Sequence, residues 1–439
     1  MLPLSLKEIA QHAMSYALKV GASAVRVSVV AAQNNSFEYL NTRLDKLHRS
    51  SENKIYAELF VDGRYGVVST NRIDRKEIEK LLDDGVVSTR FLSPDAYRQL
   101  PPASRYYRPT GIDLDLCDPS FDRLSAAQKI ELAKQTVEEI YRTDERIISV
   151  NSSYDDCYSS EYMLVSNGFE AEVEDTAFSL SASVSLRTSG DARPEADWYD
   201  SAVYWSDLQK TGIAQKALEL ALGKIGQKKI RSGQYNMLLD NTVSKRLLSP
   251  VVSALYGSAL QQNNSFLLNK IGKQIASAKL SVFDCPHLPR NFGAALFDGE
   301  GVATRDRAII ENGVLQTYYI DTYNSLKMQV EPTIAAPSIV AVQLGGQNRQ
   351  ELMKSMGCGI WVTGLNGGNS NPTTGDFSYG IEGFRIENGE ATQPVGGMNI
   401  TGNLLSLWLQ LEEIGNDTRR VASWRVPSLL FSGVNFSGE

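Results

Sequence analysis

Apolar residues recur at three- and four-residue intervals through Ile9, Ala13, Met14 and Ala17, the spacing of one helical face. Just before them, Ser5-Leu6-Lys7-Glu8 has the form of a capping box, in which the serine oxygen and the glutamate each satisfy a backbone N–H left open by the first turn. Gly21 supplies the stop. The pattern then turns β-rich over residues 24–32 and 54–70, with Asp62-Gly63 as a hairpin turn that tolerates positive φ. A second helix is expected from Asp74 to about Asp84. Residues 93–109 hold Pro94, Pro101, Pro102 and Pro109, which resist both helix and central strand, and the stretch reads as a linker.

The same order follows again. Ser125-Ala126-Ala127-Gln128 caps a helix reaching Tyr141, residues 146–187 are strand-rich with Asn167-Gly168 at a hairpin tip, and a helix over about 206–226 closes the unit. Helices that precede sheets, rather than alternate with single strands, argue for an α+β fold. Beyond Gly233 the pattern predicts a strand over 235–239, a helix over 241–260, and then glycine-rich β structure. Ile310-Glu311-Asn312-Gly313 and Ile386-Glu387-Asn388-Gly389 share one turn chemistry and read as hairpins. Late helices are expected over 349–356 and, capped by Asn403, over 404–414. The chain thus divides into an N-terminal α+β unit (1–108) and a second α+β unit (109–228), each expected to join helices to a mixed sheet, and a β-rich C-terminal domain (229–439).

With 42% apolar and 22% charged residues in 439, the composition is that of a folded globular protein large enough to build its core without metal or disulfide. Forty-four basic residues against 51 acidic give a net charge of −7, which disfavours direct binding of nucleic acid or anionic lipid. Cys117, Cys157, Cys285 and Cys358 are scattered, as expected of reduced thiols in a cytoplasmic protein. Met1-Leu2-Pro3-Leu4 does not open an export signal, and no window is apolar enough to span a bilayer.

Candidate chemistry is sparse. The chain has three histidines, His12, His48 and His287, and no H-E-x-x-H. Cys285-Pro286-His287 offers two ligand types beside Asp284, but a zinc site needs three or four convergent ligands, so a proline-fixed turn is the better reading. Ser51-Glu52-Asn53-Lys54 and Lys210-Thr211-Gly212 match two motifs of serine acyl enzymes in the wrong secondary-structure context. The run Thr363-Gly364-Leu365-Asn366-Gly367-Gly368-Asn369-Ser370 lacks the Lys-Ser/Thr of a phosphate loop and reads as a structural loop.

Seven ordered segments of the last third say more. Ile271-Gly272-Lys273-Gln274, Phe297-Asp298-Gly299-Glu300-Gly301-Val302, Ile310-Glu311-Asn312-Gly313 and Thr374-Gly375-Asp376-Phe377-Ser378 are four of them. Gly383-Phe384-Arg385, Ile400-Thr401-Gly402-Asn403-Leu404 and Gly415-Asn416-Asp417 complete the series. Together they resemble the TldD/PmbA family, older descriptions of which speak of modulators of DNA gyrase. The resemblance implies two paralogous subunits that pair into a cytoplasmic metalloprotease. The TldD type holds zinc on an H-E-x-x-x-H helix with a late cysteine; the PmbA or TldE type lacks these residues. Counted back from Ile271, the two histidine positions fall on Leu248 and Ser253, the glutamate position on Ser249, and the cysteine position near Val426.

What the resemblance implies is therefore a PmbA/TldE-type, noncatalytic subunit with no catalytic residue and no metal of its own. Zinc is expected in a TldD-type partner, and the substrate is a peptide or unfolded protein. Thr374, Gly375, Asp376, Phe377 and Ser378 are the candidate peptide-binding residues, as an exposed strand or loop reading an extended chain through main-chain hydrogen bonds. A homodimeric peptide- or ligand-binding protein without hydrolytic activity, or a protein-level modulator of DNA gyrase, are the alternatives.

Overall fold

The computed structural model describes residues 5–438; residues 1–4, on which the reading of the N-terminus rests, lie outside the described residues. The first unit comprises α1 (Leu6–Lys19), β1 (Ala24–Leu40), β2 (Arg43–Val61), β3 (Arg64–Thr70) and α2 (Arg75–Thr89). The second repeats that order with α3 (Ala126–Glu138), β4 (Ile147–Val165), β5 (Phe169–Leu186), β6 (Glu195–Ala202) and α4 (Ile213–Gly223). Both opening helices carry complete capping boxes, Ser5 with Glu8 and Ser125 with Gln128. Because β1 pairs antiparallel with β4, the two triplets fuse into one six-stranded sheet of order β3-β2-β1-β4-β5-β6. The helices cover a single face, with α1 and α2 over one half and α3 and α4 over the other.

The strands run longer than the apolar pattern foretells. Alternation fades at Ala32, yet β1 continues through Gln33, Asn34, Asn35 and Ser36. The polar run is held by a buried network instead of by apolar contact. Asn35 donates Nδ2 to Asp156 Oδ1 at 2.7 Å, the Tyr154 hydroxyl donates to Asp156 Oδ2 at 2.6 Å, and Lys129 of α3 pairs with the same carboxylate at 2.6 Å. With the Asp156 side chain 0% exposed, neither ion has water to fall back on, so each requires the other.

Two expectations for the connecting segments change. The proline-rich stretch is a strap laid on the C-terminal domain: Tyr107 N donates to Gly301 O at 3.0 Å, Ala303 N to Arg105 O at 3.1 Å, and Leu114 packs on Ala294 and Ile339. The helix expected from 206 begins only at Ile213. Gly212 precedes it at φ 78°, which a helix cannot include, and Gln209 N is tied to Asp200 Oδ2 at 2.9 Å in the preceding turn.

The last domain contains β7 (Gly233–Leu239), α5 (Lys245–Ser253), α6 (Gly257–Gln261), β8 (Val282–Asp284), β9 (Arg307–Glu311), β10 (Val314–Leu315), α7 (Thr322–Met328) and β11 (Val340–Val342). It continues with α8 (Arg349–Met356), β12 (Gly359–Ser370), β13 (Asp376–Glu387), β14 (Glu390–Asn403), α9 (Leu404–Leu409), β15 (Leu411–Ile414), β16 (Trp424–Arg425) and β17 (Leu429–Ser437). Strands β14-β13-β12-β7-β17 form a sheet that closes on itself where β14 also pairs with β17, with β15 added outside β17. A smaller sheet, β10-β9-β8-β11-β16, shares its core. The whole is an α+β protein.

Three further expectations differ here. The single helix over 241–260 is two, α5 and α6, with Pro250 lacking an N–H inside the first and Gly257 N bonded out to Tyr319 O at 2.7 Å. The helix over 404–414 stops at Leu409, because Leu411 and Ile414 are buried by pairing with β17. The glycine-rich run read as a loop is the second half of β12. Both Asn-Gly hairpins form as expected, with φ of 48° and 77° at Asn312-Gly313 and 53° and 79° at Asn388-Gly389.

The buried ion pair yields a stability prediction. Lys129→Met should lower the unfolding free energy in urea by about 3 kcal/mol, because it strands the Asp156 carboxylate. Lys134→Met, on the exposed side of the same helix, should leave it nearly unchanged.

Candidate functional site

Asp240 follows β7 and is 3% exposed. Its main chain continues the sheet, Asp240 N donating to Val362 O at 2.9 Å. Its carboxylate collects four donors: Thr242 N at 3.1 Å, Thr242 Oγ1 at 2.7 Å, Arg349 Nη1 of α8 at 3.1 Å and Trp361 Nε1 of β12 at 3.0 Å. One buried charge thereby fixes the turn into α5, the start of α8 and the first residues of β12, at Trp361.

That turn leaves a sheet edge open. β7 and β12 pair in parallel only at Met237–Leu239 and Ile360–Val362, and α5 then occupies the side of β12 where β7 would have continued. Beyond Val362, β12 pairs with β13 on one side at Gly364–Asn366 and Asn369–Ser370, with bulges at Thr363 and Gly367–Gly368, while Leu365, Gly368, Asn369 and Ser370 line a groove. Lys245, Arg246, Ser249 and Pro250 of α5 form its opposite bank, enclosing about 640 Å³. Arg246 Nη2 reaches across to Gly367 O at 3.4 Å.

At one end, Asn369 and Ser370 lead into a depression of about 660 Å³ bordered by Asp376, Phe377 and Ser378. At the other, Thr242, Val243 and Leu365 are shared with a cavity of about 330 Å³ between β6–α4 and β12–β13. Its walls include Trp198, Tyr199, Trp361 and Phe384, with Trp361 and Phe384 stacked at 5.3 Å and 27°.

The five residues singled out in the sequence lie beside this groove, in and after the β12–β13 turn. Thr374 Oγ1 donates to Asp376 Oδ2 at 2.7 Å, and Asn403 Nδ2 donates to Asp376 Oδ1 at 3.0 Å and Thr374 O at 2.8 Å. These bonds, Asn403's first, hold the Asp376 carboxyl below its usual range. Gly375 takes φ 81°. Phe377 is 5% exposed and stacks on Tyr379 in the barrel core, leaving Ser378 exposed. The main chain at Phe377 and Ser378 is paired on both sides, by β12 and by β14. A free edge for an added strand lies one strand over, on β12, where the exposed polar residues Asn366 and Asn369 were the available signal.

On α5, Leu248, Val251 and Val252 are buried in the barrel core, Ser249 and Pro250 face the groove, and Ser253 is exposed. Val426 lies against the start of this helix, its carbonyl accepting Ser244 Oγ at 3.3 Å, and is itself 4% exposed. Where the family resemblance places zinc ligands, the chain therefore supplies the aliphatic Leu248 and Val426 and the hydroxyl of Ser253, which do not fit the metal. The imidazoles are elsewhere: His12 Nε2 is 3.1 Å from Glu79, His48 lies on β2, and His287 Nε2 is 3.0 Å from Thr304 Oγ1. Cys285 is half-buried, and desolvation, then Asp306 and Asp284, pushes its thiol up, away from the thiolate. Among the described residues no three His, Cys, Asp or Glu side chains converge.

The sequence matches the models of the PmbA/TldA metallopeptidase central domain over residues 119–225 and of its C-terminal domain over residues 232–438. The chain belongs to the PmbA/TldD metallopeptidase family. It is 27% identical to Metalloprotease PmbA of Escherichia coli O157:H7, covering 99% of this chain and 97% of the other. The crystal structure of a Bacteroides thetaiotaomicron protein, described as a proposed modulator of DNA gyrase, superposes with a TM-score of 0.97 at 53% identity, covering 99% of each chain. Haemophilus influenzae has both a Metalloprotease PmbA homolog, 27% identical over 99% of this chain and 96% of its own, and a Metalloprotease TldD homolog, 24% identical over 74% and 70%. Among the described residues no helix is long and apolar enough to cross a membrane.

The Asp240 hub sets the next prediction. Asp240→Ala should cost about 3 kcal/mol of stability, since Arg349, Trp361 and Thr242 lose a charged acceptor together. Trp361 fluorescence should shift to the red in the still-folded variant.

Proposed function

We propose that this chain is the noncatalytic, PmbA/TldE-type subunit of a two-component zinc metalloprotease that degrades or matures peptides and unfolded proteins in the cytoplasm. The observation that carries the reading is α5: the two histidine positions of a zinc-bearing paralogue are filled here by the core residue Leu248 and the exposed Ser253, on a helix that contains Pro250. The zinc and the water-activating glutamate then belong to a TldD-type partner. The occurrence of both homologues in Haemophilus influenzae supports a paired arrangement.

This subunit's own contribution is the groove. An extended peptide lies along residues 363–370 and completes the hydrogen bonds that β7 leaves unmade, the sheet-extension mode of peptide recognition. Thr374, Asp376 and Ser378 border its far end, Gly375 permits the turn, and Phe377 anchors that turn in the core. Ser249→Trp should fill the groove from a position outside the core. It should abolish peptide binding by the isolated chain with little change in Tm.

The decisive measurement is zinc content and peptide hydrolysis for the purified chain, for the TldD-type paralogue of the same source, and for their mixture. Zinc-dependent hydrolysis that requires the paralogue, and that this chain enhances on mixing, is the expected result. Stoichiometric zinc and hydrolysis in this chain alone would overturn the assignment. Inactivity of the mixture with a stable homodimer of this chain would favour a stand-alone peptide-binding protein, and an effect on supercoiling without proteolysis a gyrase modulator.

A further inference from the structure

The 330 Å³ cavity at the head of the groove falls within the size range of small-ligand sites and lies at a domain junction, where such sites concentrate. Each of its two guanidinium groups rests on a ring. Arg349 sits 4.7 Å from the Trp361 centroid, and Arg419 sits 4.0 Å from that of Trp198.

Their charges are not equally compensated. Arg349 is paired with Asp240 at 3.1 Å, Lys224 with Glu382 at 2.8 Å and Lys216 with Glu219 at 2.8 Å. Among the described residues Arg419 has no carboxylate within 4 Å; it donates to the carbonyl of Tyr199. Burial lowers its pKa, and the more distant Asp200 and Asp240 compensate only in part. The cavity thus presents one under-compensated, planar cation among aromatic faces. Of the carboxylates in its lining, Glu382 and Asp240 are paired with Lys224 and Arg349, which leaves Asp197 to oppose a second negative charge on a ligand.

The cavity adjoins the end of β12 nearest Trp361. A strand added parallel to β12, as β7 is, would bring an α-ammonium to it, and one added antiparallel an α-carboxylate; the under-compensated Arg419 fits the second. We infer that the cavity is a receptor for the C-terminal residue of a peptide, Arg419 taking the α-carboxylate and the Trp198, Trp361 and Phe384 rings taking an aromatic or large apolar side chain. The inference rests on the groove as a peptide site and requires neither the partner nor zinc.

The probes are Ala-Ala-Phe, its C-terminal carboxamide and Ala-Ala-Ala, titrated calorimetrically into the isolated full chain. The free acid should bind at least about tenfold more tightly than the carboxamide, the worth of one charge-assisted bond to the carboxylate. Arg419→Gln should bring the acid down to the carboxamide and leave the carboxamide unchanged; Arg419→Lys should restore part of the difference. Trp198→Ala should reduce the preference for Phe over Ala at the last position. Equal affinity for acid and carboxamide in the wild-type chain, or equal weakening of both by Arg419→Gln in a variant with unaltered Tm, would overturn the inference, as would the absence of binding by all three peptides. None of these outcomes bears on whether zinc and hydrolysis reside in the partner, which the mixing experiment decides separately.

Discussion

The carboxylate of Asp240 is the constraint on which the site depends. A buried charge must be saturated with donors, and this one draws them from three elements distant in sequence: the turn at Thr242, the head of α8 at Arg349 and the strand residue Trp361. Meeting that demand turns the chain out of β7 immediately after Leu239, so the parallel pairing with β12 spans only three residues. Had β7 continued, residues 363–370 would be an ordinary interior strand. The groove is thus a consequence of electrostatic saturation, and α5 forms its opposite bank because the same turn launches that helix.

Local sequence rules recovered the elements whose cause is local. Both capping boxes, the Asn-Gly hairpins and the helices opening at Leu6, Ala126 and Arg349 follow from neighbouring side chains and are present in the fold. The departures occur where a remote partner decides. Asn35 extends a strand because Asp156, 121 residues away, accepts from it, and Leu411 joins a sheet because β17 lies beside it. The exposed Asn366 and Asn369 mark β12 as partly uncovered, but that one edge is open is a property of what β7 does. The motif at Thr374–Ser378 was visible for the complementary reason: turn chemistry concentrates in a few adjacent residues, and here it fixes the turn next to the groove.

A core-forming α5 also explains how such a chain tolerates the absence of metal ligands. An imidazole at position 248 and a thiol at 426 would require either a metal or hydrogen-bond partners to be buried beside Leu247, Val251 and Val252. Leu248 and Val426 remove that requirement and add apolar contact to the barrel core, while Ser253 remains in solvent. The helix is thereby stabilised as a wall, with Ser249 and Pro250 presenting a small, uncharged bank to the groove. The groove depends on where α5 lies and not on which side chains the core face of that helix carries.

Position, in turn, is held from the far side of the molecule. The strap over residues 93–118 bonds to Gly301 and Arg105 bonds Ala303, and Arg290 meets Asp115 at 2.5 Å, so the N-terminal sheet cannot rotate freely against the barrel. The cavity at the head of the groove is lined from both bodies, Trp198 and Tyr199 from β6 and Trp361 and Phe384 from the barrel sheet. Arg419 bridges them, its chain belonging to the C-terminal domain and its guanidinium donating to the Tyr199 carbonyl. A receptor assembled across two bodies binds well only if neither has to be repositioned on binding. The segment that reads as a mere connection in the sequence supplies that preorganisation through Arg105, Tyr107, Leu114 and Asp115, while its prolines restrict the backbone.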